Sequence, residues 1–385
     1  MNEQAAERLR AAVAAELPAA VELRRRIHRD PHLSGDEGPT RDLVLDQLPR
    51  GDGVVKVAET GAIVRIGGEA PAVAIRAELD ALEVAERTGV PWQSATPGFM
   101  HGCGHDVHLA ALVAVARAVD RVGGPLPLLA VLQPREESAP SGARDILASG
   151  ALGPDTCRAV LAAHVQPSLP NGVVACVPGV VNASSDEFAV EVSGRGGHAA
   201  YPHTGSDPLV VVANIVTALQ SVRHRTVDPT ATAVLTVTRM AGGTTTNVVP
   251  DHAGLAGTVR TTTARDRELM LDRLAAVSSG IATAFGCGAE VSVVRGEPPL
   301  ANDERLARAT AAGLARLGVP VDGEFRSAGA DDFSYYTEVL PSLMMFVGVG
   351  DGSGRLHSAT FLPSDQAVAD VARAMLTGYL AAARG

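Results

Sequence analysis

The most chemically suggestive segment of the chain is residues 100–108, Met-His-Gly-Cys-Gly-His-Asp-Val-His, which brings one thiol, three imidazoles and one carboxylate into nine positions. Thiolate sulfur, neutral imidazole and carboxylate are the ligands that suit zinc and neighbouring divalent metals. Cys103 and His105 are two positions apart, so on extended backbone both side chains would leave the same face. Gly102 and Gly104 would let the backbone approach closely. The segment therefore predicts a metal site.

Further acidic and imidazole residues follow predicted strands. Glu136 and Glu137 come directly after one apolar strand, Asp80 follows another, and a third is followed by His164. Ligands of open α/β sheets gather beyond the carboxyl ends of strands, which favours placing these residues together. Simpler interpretations exist: a solvated acidic turn for the glutamates, a helix N-cap for Asp80, and a small buried hydrophobe for a lone cysteine. The combination with residues 100–108 favours the metal centre.

Five candidate ligands follow, of which the last enters mainly through the family resemblance described below: Cys103, His105, Glu137, His164 and His357. Because one catalytic zinc takes three protein ligands and a water, five candidates predict two divalent ions. Zinc fits the thiolate best, and manganese, cobalt or nickel would also fit. Paired ions hold a hydroxide and polarise a substrate oxygen, so hydrolysis is expected. Glu136 is the predicted general base, and Asp80 is expected to accept a hydrogen bond from a ligating imidazole.

Composition limits the classes of function. The chain has 385 residues, a formal net charge of -10 and no basic cluster beyond residues 24–26, which argues against nucleic acid and acidic membranes as partners. The first residues lack the apolar stretch of a secretory signal, and no later run is long enough to span a bilayer. Four cysteines in no Cys-x-x-Cys spacing suit a reducing compartment. A cytoplasmic protein without disulfides is expected.

Alternating strand and helix patterns predict an α/β fold with a mainly parallel sheet. The predicted strands cover residues 62–66, 72–77, 126–132, 159–163 and 343–349, and the predicted helices cover 5–29, a segment from about Pro39, 107–122, 142–149, 303–317 and 366–383. From about residue 181 the order becomes strand, helix, strand, strand, helix, strand, which is typical of a ferredoxin-like unit. We therefore expect a discontinuous metal-binding catalytic domain of residues 1–180 and 297–385, interrupted by an inserted domain of residues 181–296.

Several separate motifs occur in an order that covers nearly the whole chain. They are Arg-Ala-Glu-Leu-Asp-Ala-Leu at 76–82, the segment 100–108, Gln-Pro-Arg-Glu-Glu at 133–137, Gly-Arg-Gly-Gly-His-Ala-Ala-Tyr-Pro-His at 194–203, Thr-Asn-Val-Val-Pro at 246–250, Gly-Thr-Val-Arg at 257–260, Asp-Phe-Ser at 332–334 and Leu-His at 356–357. With these motifs the chain resembles the dinuclear metal-dependent amidohydrolases that include aminoacylases, hippurate hydrolases and auxin-conjugate hydrolases. Glutamate-releasing carboxypeptidases are more distant relatives of that group.

The resemblance implies metal ligation by the five candidates, with Glu136 as general base and Asp80 as support. It also implies that the inserted domain is a lid and dimerisation module, so that the chain forms a homodimer. His198 would reach an active site, often that of the partner subunit, and stabilise the tetrahedral oxyanion. Asn247 and Arg260 match positions that hold a substrate carboxylate, a role that suits a guanidinium fork. Without the resemblance, a turn histidine and a strand-face arginine would be the simpler interpretations.

The chain departs from the family pattern at two positions. Glu83 stands where relatives often have proline, and Asp331 stands where relatives often have the glutamate of Ser-Glu-Asp-Phe-Ser. The shorter Asp331 withdraws its carboxylate, which weakens any substrate or metal contact there. The remaining histidines are those without an assigned role, His101, His108 and His203, and those expected to be structural, His28, His32, His224 and His252.

The sequence thus predicts a hydrolase that cleaves the amide bond of an N-acyl amino acid, or of a related small amide or dipeptide, by attack of a metal-bound hydroxide. Its expected partner is a small substrate that carries a carboxylate. Two alternatives keep the fold: a carboxypeptidase-like or dipeptidase-like peptide hydrolase, and a non-catalytic small-molecule-binding protein, which the intact Glu136 disfavours. A third is a thiol hydrolase with Cys103 as nucleophile and His105 or His108 as base, which would be indifferent to chelators.

Overall fold

The computed structural model describes residues 3–49, 53–350 and 352–384. Its helices are α1 (Glu3–Arg29), α2 (Gly38–Leu45), α3 (His105–Val122), α4 (Gly142–Ala148), α5 (Pro208–Thr226), α6 (Ala264–Ala284), α7 (Glu304–Arg316), α8 (Ser334–Thr337) and α9 (Gln366–Ala382). Its strands are β1 (Gly53–Val57), β2 (Gly61–Ile66), β3 (Ala72–Glu78), β4 (Leu128–Gln133), β5 (Cys157–Gln166), β6 (Val174–Ala175), β7 (Gly179–Asn182), β8 (Asp186–Ser193), β9 (Gly197–His198), β10 (Ala233–Gly242), β11 (Val248–Val249), β12 (His252–Thr261), β13 (Gly288–Arg295), β14 (Leu300–Asn302), β15 (Val321–Asp322) and β16 (Ser342–Gly348).

The chain divides into two compact units, which we describe separately. Unit 1 comprises Met1–Gly179, Ala301–Phe325 and Tyr335–Gly385. It contains an eight-stranded sheet in the order β1-β2-β4-β3-β5-β16-β6-β15. Neighbours from β4 to β16 are parallel, as are β6 and β15, whereas β1, β2 and β4 pair antiparallel and so do β6 and β16. The predicted α/β fold is confirmed, with a sheet that is mixed and mostly parallel.

The central strands and α3 form the interior of unit 1. Every residue of β3 and β4 is buried, as expected for strands that are covered on both faces. Helix α3 is rich in alanine, leucine and valine on nearly all sides and packs against α1 and α9. Because α3 starts at His105, its burial fixes the position of that histidine. The sequence prediction missed β1, β6 and β15, which are short or lie at the sheet edge.

Unit 2 comprises Val180–Leu300 and Arg326–Ser334. Its main elements follow in the order β8, α5, β10, β12, α6 and β13, and its four-stranded sheet has the order β10-β12-β8-β13 with antiparallel neighbours throughout. Along β8 every second residue is buried, so one face of the sheet packs on α5 and α6. The short segment Arg326–Ser334 lies outside the range expected for the inserted domain.

Among the described residues, no helix combines the length and the apolar character that crossing a membrane requires.

Candidate metal centre

Four of the predicted site residues lie at or near the carboxyl ends of neighbouring strands in unit 1. Asp80 follows β3, Glu136 and Glu137 follow β4, and His164 lies near the end of β5. These three strands are parallel neighbours, so their carboxyl ends meet at one edge of the sheet. His357 comes from the connection between β16 and α9. The topology therefore brings together residues that are far apart in the sequence.

The ligand atoms approach one another closely. Cys103 Sγ lies 3.3 Å from His164 Nε2, and His357 Nε2 lies 3.2 Å from Glu137 Oε1. His105 Nε2 lies 4.0 Å from Glu137 Oε1, which connects the two pairs. Three of the groups of potential ligand atoms that lie within 4.8 Å of one another link the five candidates. They are Cys103 with His105 and His164, Cys103 with Glu137 and His357, and His105 with Glu136 and Glu137. All five candidates thus lie close together in the structure. We call them the ligand cluster: Cys103, His105, Glu137, His164 and His357.

The backbone between Cys103 and His105 differs from the extended form that we expected. Cys103 lies in a turn and His105 is the first residue of α3, while Gly104 between them has a left-handed φ of 87°. A Cβ at Gly104 would lie 2.5 Å from Val165 Cγ2, so glycine is required for both conformation and space. Gly102 accepts a hydrogen bond from the His357 amide at 2.8 Å, which ties the last ligand to this turn. Cys103 and His105 are therefore brought together by a turn. The predicted extended backbone between them is wrong.

Asp80 contacts two of the ligands. Its backbone carbonyl lies 2.8 Å from His105 Nδ1, which donates to it, while its carboxylate Oδ1 is 3.6 Å from the same nitrogen. Asp80 Oδ2 accepts from the backbone amide of Glu137 at 2.9 Å and from the hydroxyl of Ser34 at 2.7 Å. Burial raises the pKa of Asp80, but its bonds to His105 and to the Glu137 amide outweigh burial and lower it. Asp80 therefore remains a carboxylate that orients both ligands.

His108, to which the sequence analysis gave no role, supports His164 through the backbone of Val165. Its Nδ1 lies 2.8 Å from Glu78 Oε2 and donates to it, and its Nε2 accepts from the backbone amide of Val165 at 3.0 Å. His164 Nδ1 in turn donates to the Val165 carbonyl at 2.7 Å, which leaves its Nε2 directed at Cys103. The sequence analysis gave Glu78 no role, although two charged residues, Arg76 and Glu78, near the end of a mostly apolar strand were a visible signal.

The electrostatics of the ligand cluster favour a bound cation. Burial, together with the carboxylates of Glu137 and Glu136, raises the pKa of the Cys103 thiol well above its usual value. Burial lowers the pKa of His105, but Glu78 and Asp80 outweigh it and raise the value to about 10. Such a thiol is a poor nucleophile by itself, which argues against the thiol-hydrolase alternative. A divalent cation bound in place of these protons would be compensated by the surrounding carboxylates.

A second buried network fixes the start of α3. Arg24, fully buried on α1, bonds to Asp106 at 3.0 Å, and His28 Nδ1 lies 3.1 Å from the same carboxylate. The other ring nitrogen of His28 is 3.2 Å from Glu86. Burial lowers the pKa of His28, but Asp106 and Glu86 raise it to about 9, so that the imidazole is charged at neutral pH. His101 nearby is buried, and burial lowers its pKa to about 3.

The remaining predicted site residues lie in unit 2 and are more exposed. His198 on β9 pairs with Val248 on β11, and the Ala199 amide donates to the Asn247 carbonyl at 3.0 Å, so His198 and Asn247 lie on one two-stranded ribbon. Arg260 lies on β12, where its guanidinium donates to the Ala328 carbonyl at 3.3 Å.

The comparisons with known proteins agree with this geometry. Residues 74–377 match the model of peptidase family M20/M25/M40. The chain is 36% identical over 354 residues to an N-acetyl-L-cysteine deacetylase of Bacillus subtilis, covering 90% of this chain and 84% of that protein. It is 35% identical over 369 residues to an N-acetyldiaminopimelate deacetylase of Halalkalibacterium halodurans, covering 94% and 99%.

A solved structure gives the same result at the level of the fold. The chain superimposes with a TM-score of 0.84 and 29% identity on a dinuclear metal-binding M20 peptidase of Bacillus subtilis, covering 95% of this chain and 98% of that one. The resemblance inferred from the sequence motifs is confirmed. The chain belongs to peptidase family M20/M25/M40.

Proposed function

We propose that the chain removes the acetyl group from N-acetyl amino acids, releasing acetate and the free amino acid. The observation that carries this proposal is the ligand cluster, with Glu136 beside it, at the carboxyl ends of three parallel strands. The acetyl group is supported by the relatives, which are named as deacetylases of N-acetyl-L-cysteine and N-acetyldiaminopimelate. The chain is a metal-dependent amidohydrolase whose substrates are small acylated amino acids.

The ligand cluster fits two divalent cations. In the part of the chain that the structure describes, His105 Nε2 and Glu137 Oε1 are buried without a hydrogen-bond partner. An unsatisfied buried polar group costs about 1–3 kcal/mol, which a bound cation would offset. The five residues also exceed the three protein ligands of one catalytic ion. We propose zinc because of the Cys103 thiolate, and manganese, cobalt or nickel would also fit this mixture of sulfur, nitrogen and oxygen donors.

Glu136 is the proposed general base. When bound, the two cations polarise the amide carbonyl and make water more acidic. Glu136 Oε2 lies 3.8 Å from His105 Nε2 at the edge of the ligand cluster, and its side chain is 11% exposed, so water and substrate have access to it. The carboxylate takes a proton from the attacking water and passes it to the amine nitrogen as the C–N bond breaks. The carboxylate of the neighbouring Glu137 points toward the other residues of the ligand cluster.

Asp80 is proposed as the residue that orients the ligands. It does not need to exchange a proton with substrate, because its pKa is lowered, its backbone carbonyl accepts from His105, and its Oδ2 accepts from the Glu137 amide and the Ser34 hydroxyl. Hydrogen bonds of this kind fix the tautomer of a ligating imidazole and make it more basic.

Unit 2 is proposed as a ferredoxin-like lid that also forms a homodimer. The order of its elements supports the first part, and β10 at the edge of its sheet supports the second, because an unpaired strand edge is a surface for pairing. Met240 on this strand is apolar and 59% exposed. His198 would stabilise the oxyanion in the partner subunit's site, while Asn247 and Arg260 would bind the substrate carboxylate.

A substrate panel tests the proposed function. The metal-loaded enzyme is assayed with N-acetyl, N-benzoyl and longer N-acyl derivatives of one amino acid, and with dipeptides that end in that amino acid. We expect the highest kcat/KM for the N-acetyl derivative, and loss of turnover on chelation with recovery on adding zinc or manganese. A dipeptide cleaved faster than every acylated amino acid would make the enzyme a peptidase instead.

A further inference from the structure

The ribbon that carries His198 has a defined hydrogen-bonding pattern. The Ala200 amide donates to His198 Nδ1 at 3.1 Å, so the neutral imidazole carries its proton on Nε2. The Tyr201 amide donates to the His198 carbonyl at 2.9 Å, which holds the backbone on the other side of the ring. The exposed Nε2–H is therefore presented as a hydrogen-bond donor, which is the group an oxyanion requires.

The segment leading into this ribbon is held by Asp251. Asp251 Oδ1 accepts from the Gly196 amide at 2.7 Å, and the Asp251 carbonyl accepts from the Gly194 amide at 2.8 Å. Asp251 therefore holds the backbone on both sides of Arg195, which lies three positions before His198. A hydrogen bond to an ionised carboxylate is stronger than one between neutral groups, so this contact is able to fix the segment even at an exposed position.

The glycines of the segment show how close this contact is. A Cβ at Gly196 would lie 2.4 Å from the Val249 carbonyl oxygen and 2.8 Å from Asp251 Oδ1, closer than real Cβ atoms come to other atoms. At the next position, Gly197, a Cβ would meet nothing within 4 Å. Of these two adjacent glycines, only Gly196, whose amide bonds to the Asp251 carboxylate, is closely approached.

We propose that Asp251 is a positioning residue for catalysis: its carboxylate holds the Gly196 amide and thereby sets the place and orientation of His198. The inference rests on the proposed role of His198 in the reaction. Asp251 itself touches neither substrate nor metal in this scheme, and it acts through the backbone of the ribbon. A small displacement of a catalytic group is enough to slow the chemical step.

The central test is a double-mutant cycle. Asp251→Ala is expected to lower kcat about tenfold, since misplacing a reacting group costs this much or more. KM, metal content and melting temperature should change little, because the metal ligands and the core of unit 2 are untouched. Asp251→Asn should retain most of the activity, since its amide oxygen still accepts from Gly196. In a His198→Ala background, Asp251→Ala should cause no further loss.

Matched variants keep the test decisive if Asp251→Ala folds poorly. Gly196→Ala should reproduce the fall in kcat, whereas Gly197→Ala should not. Ser206→Ala is a second control: Arg195 loses its bond to Ser206 Oγ at 2.9 Å but keeps the one to the Ser206 carbonyl at 3.2 Å. The activity of Gly197→Ala and Ser206→Ala is expected to stay within about twofold of the parent, because no strain or unpaired amide is introduced.

Three outcomes would overturn the inference. If His198→Ala slows the enzyme but Asp251→Ala does not, the positioning role is wrong and the proposed function stands. If the two substitutions multiply in the double variant, Asp251 acts independently of His198. If His198→Ala leaves kcat unchanged, both the role of His198 in the proposed function and the inference built on it fail.

Discussion

The ligand cluster of unit 1 and the His198 ribbon of unit 2 are built in different ways. Cys103, His105 and His164 are 5%, 1% and 6% exposed. The Nδ1 atoms of both histidines donate to backbone carbonyl oxygens at or just beyond the ends of β-strands. His198 is exposed and is held by backbone amides and, in our inference, by the carboxylate of Asp251. The cluster is thus held by buried hydrogen bonds, whereas the ribbon is held by contacts at exposed positions. Substitutions in the ligand cluster should alter the metal content of the protein, whereas substitutions in the ribbon should alter only kcat.

Glu136→Gln should have the largest effect on turnover. Removing a general base typically costs 10²–10⁴-fold, so we expect kcat to fall by about 10³-fold. Metal content should stay at that of the parent enzyme, because the five ligands are intact. Initial rates and elemental analysis of the purified protein check both parts. Full activity would remove Glu136 as the base, and loss of metal would make it a ligand.

His198→Ala should lower kcat by about 10²-fold, the cost of losing one oxyanion-hole donor, with no change in metal content. If the histidine acts across a dimer, mixing His198→Ala with Glu136→Gln subunits should restore part of the activity, because a mixed dimer has one complete site. Each variant mixed with itself is the control. No recovery on mixing would place the histidine in the site of its own subunit.

Asp80→Ala should weaken metal binding by about tenfold, the lower end of the usual 10–100-fold for such supporting residues. The effect is moderate because His105 keeps its bond to the backbone carbonyl of residue 80. Ser34→Ala is the matched control, since Ser34 bonds to Asp80 Oδ2 and to no ligand in the contacts described above. Competition with a chromophoric chelator measures the affinity. An equal loss in both variants would assign the effect to general packing.

The smallest expected effect is on the pH dependence of the free energy of unfolding. The folded pKa of His28 is raised to about 9, above its ordinary value of 6.5, so its contribution to stability is complete below about 6.5 and is lost as the pH rises through about 9. Between pH 7 and pH 10 the parent should lose more stability than His28→Gln. Chemical denaturation at fixed metal concentration measures the difference. His224→Gln, at an exposed position on α5, is the control and should follow the parent.

The sequence predicted those features that leave a local pattern. Apolar runs identified β2 to β5. The order strand, helix, strand, strand, helix, strand identified the main elements of unit 2. The candidate ligands were recognised from three signals. Glu137 and His164 accompany the ends of apolar strands, Cys103 and His105 share the segment 100–108, and His357 matches a family motif. The topology explains why they meet, since neighbouring parallel strands end at one edge.

Other features depend on contacts between distant residues, which no local pattern reveals. The pairing of Glu78 with His108, and of Arg24 with Asp106, joins residues 30 and 82 positions apart. In the sequence Arg24 is part of the basic cluster of residues 24–26, and the structure buries it fully. The turn at Gly104 was also missed, because glycine between two ligands fits an extended strand as well as a left-handed turn until the position of Val165 is known.

The discontinuity of unit 1 has a consequence for how the enzyme matures. Four of the five ligands have been synthesised once the ribosome passes residue 164, but His357 belongs to the last segment of the unit, Tyr335–Gly385. All of Val180–Leu300 is made in between. Because domains generally fold as units during synthesis, unit 2 is able to fold while the ligand set is still incomplete. A ligand cluster that includes His357 is therefore completed only after all of Val180–Leu300 has been synthesised.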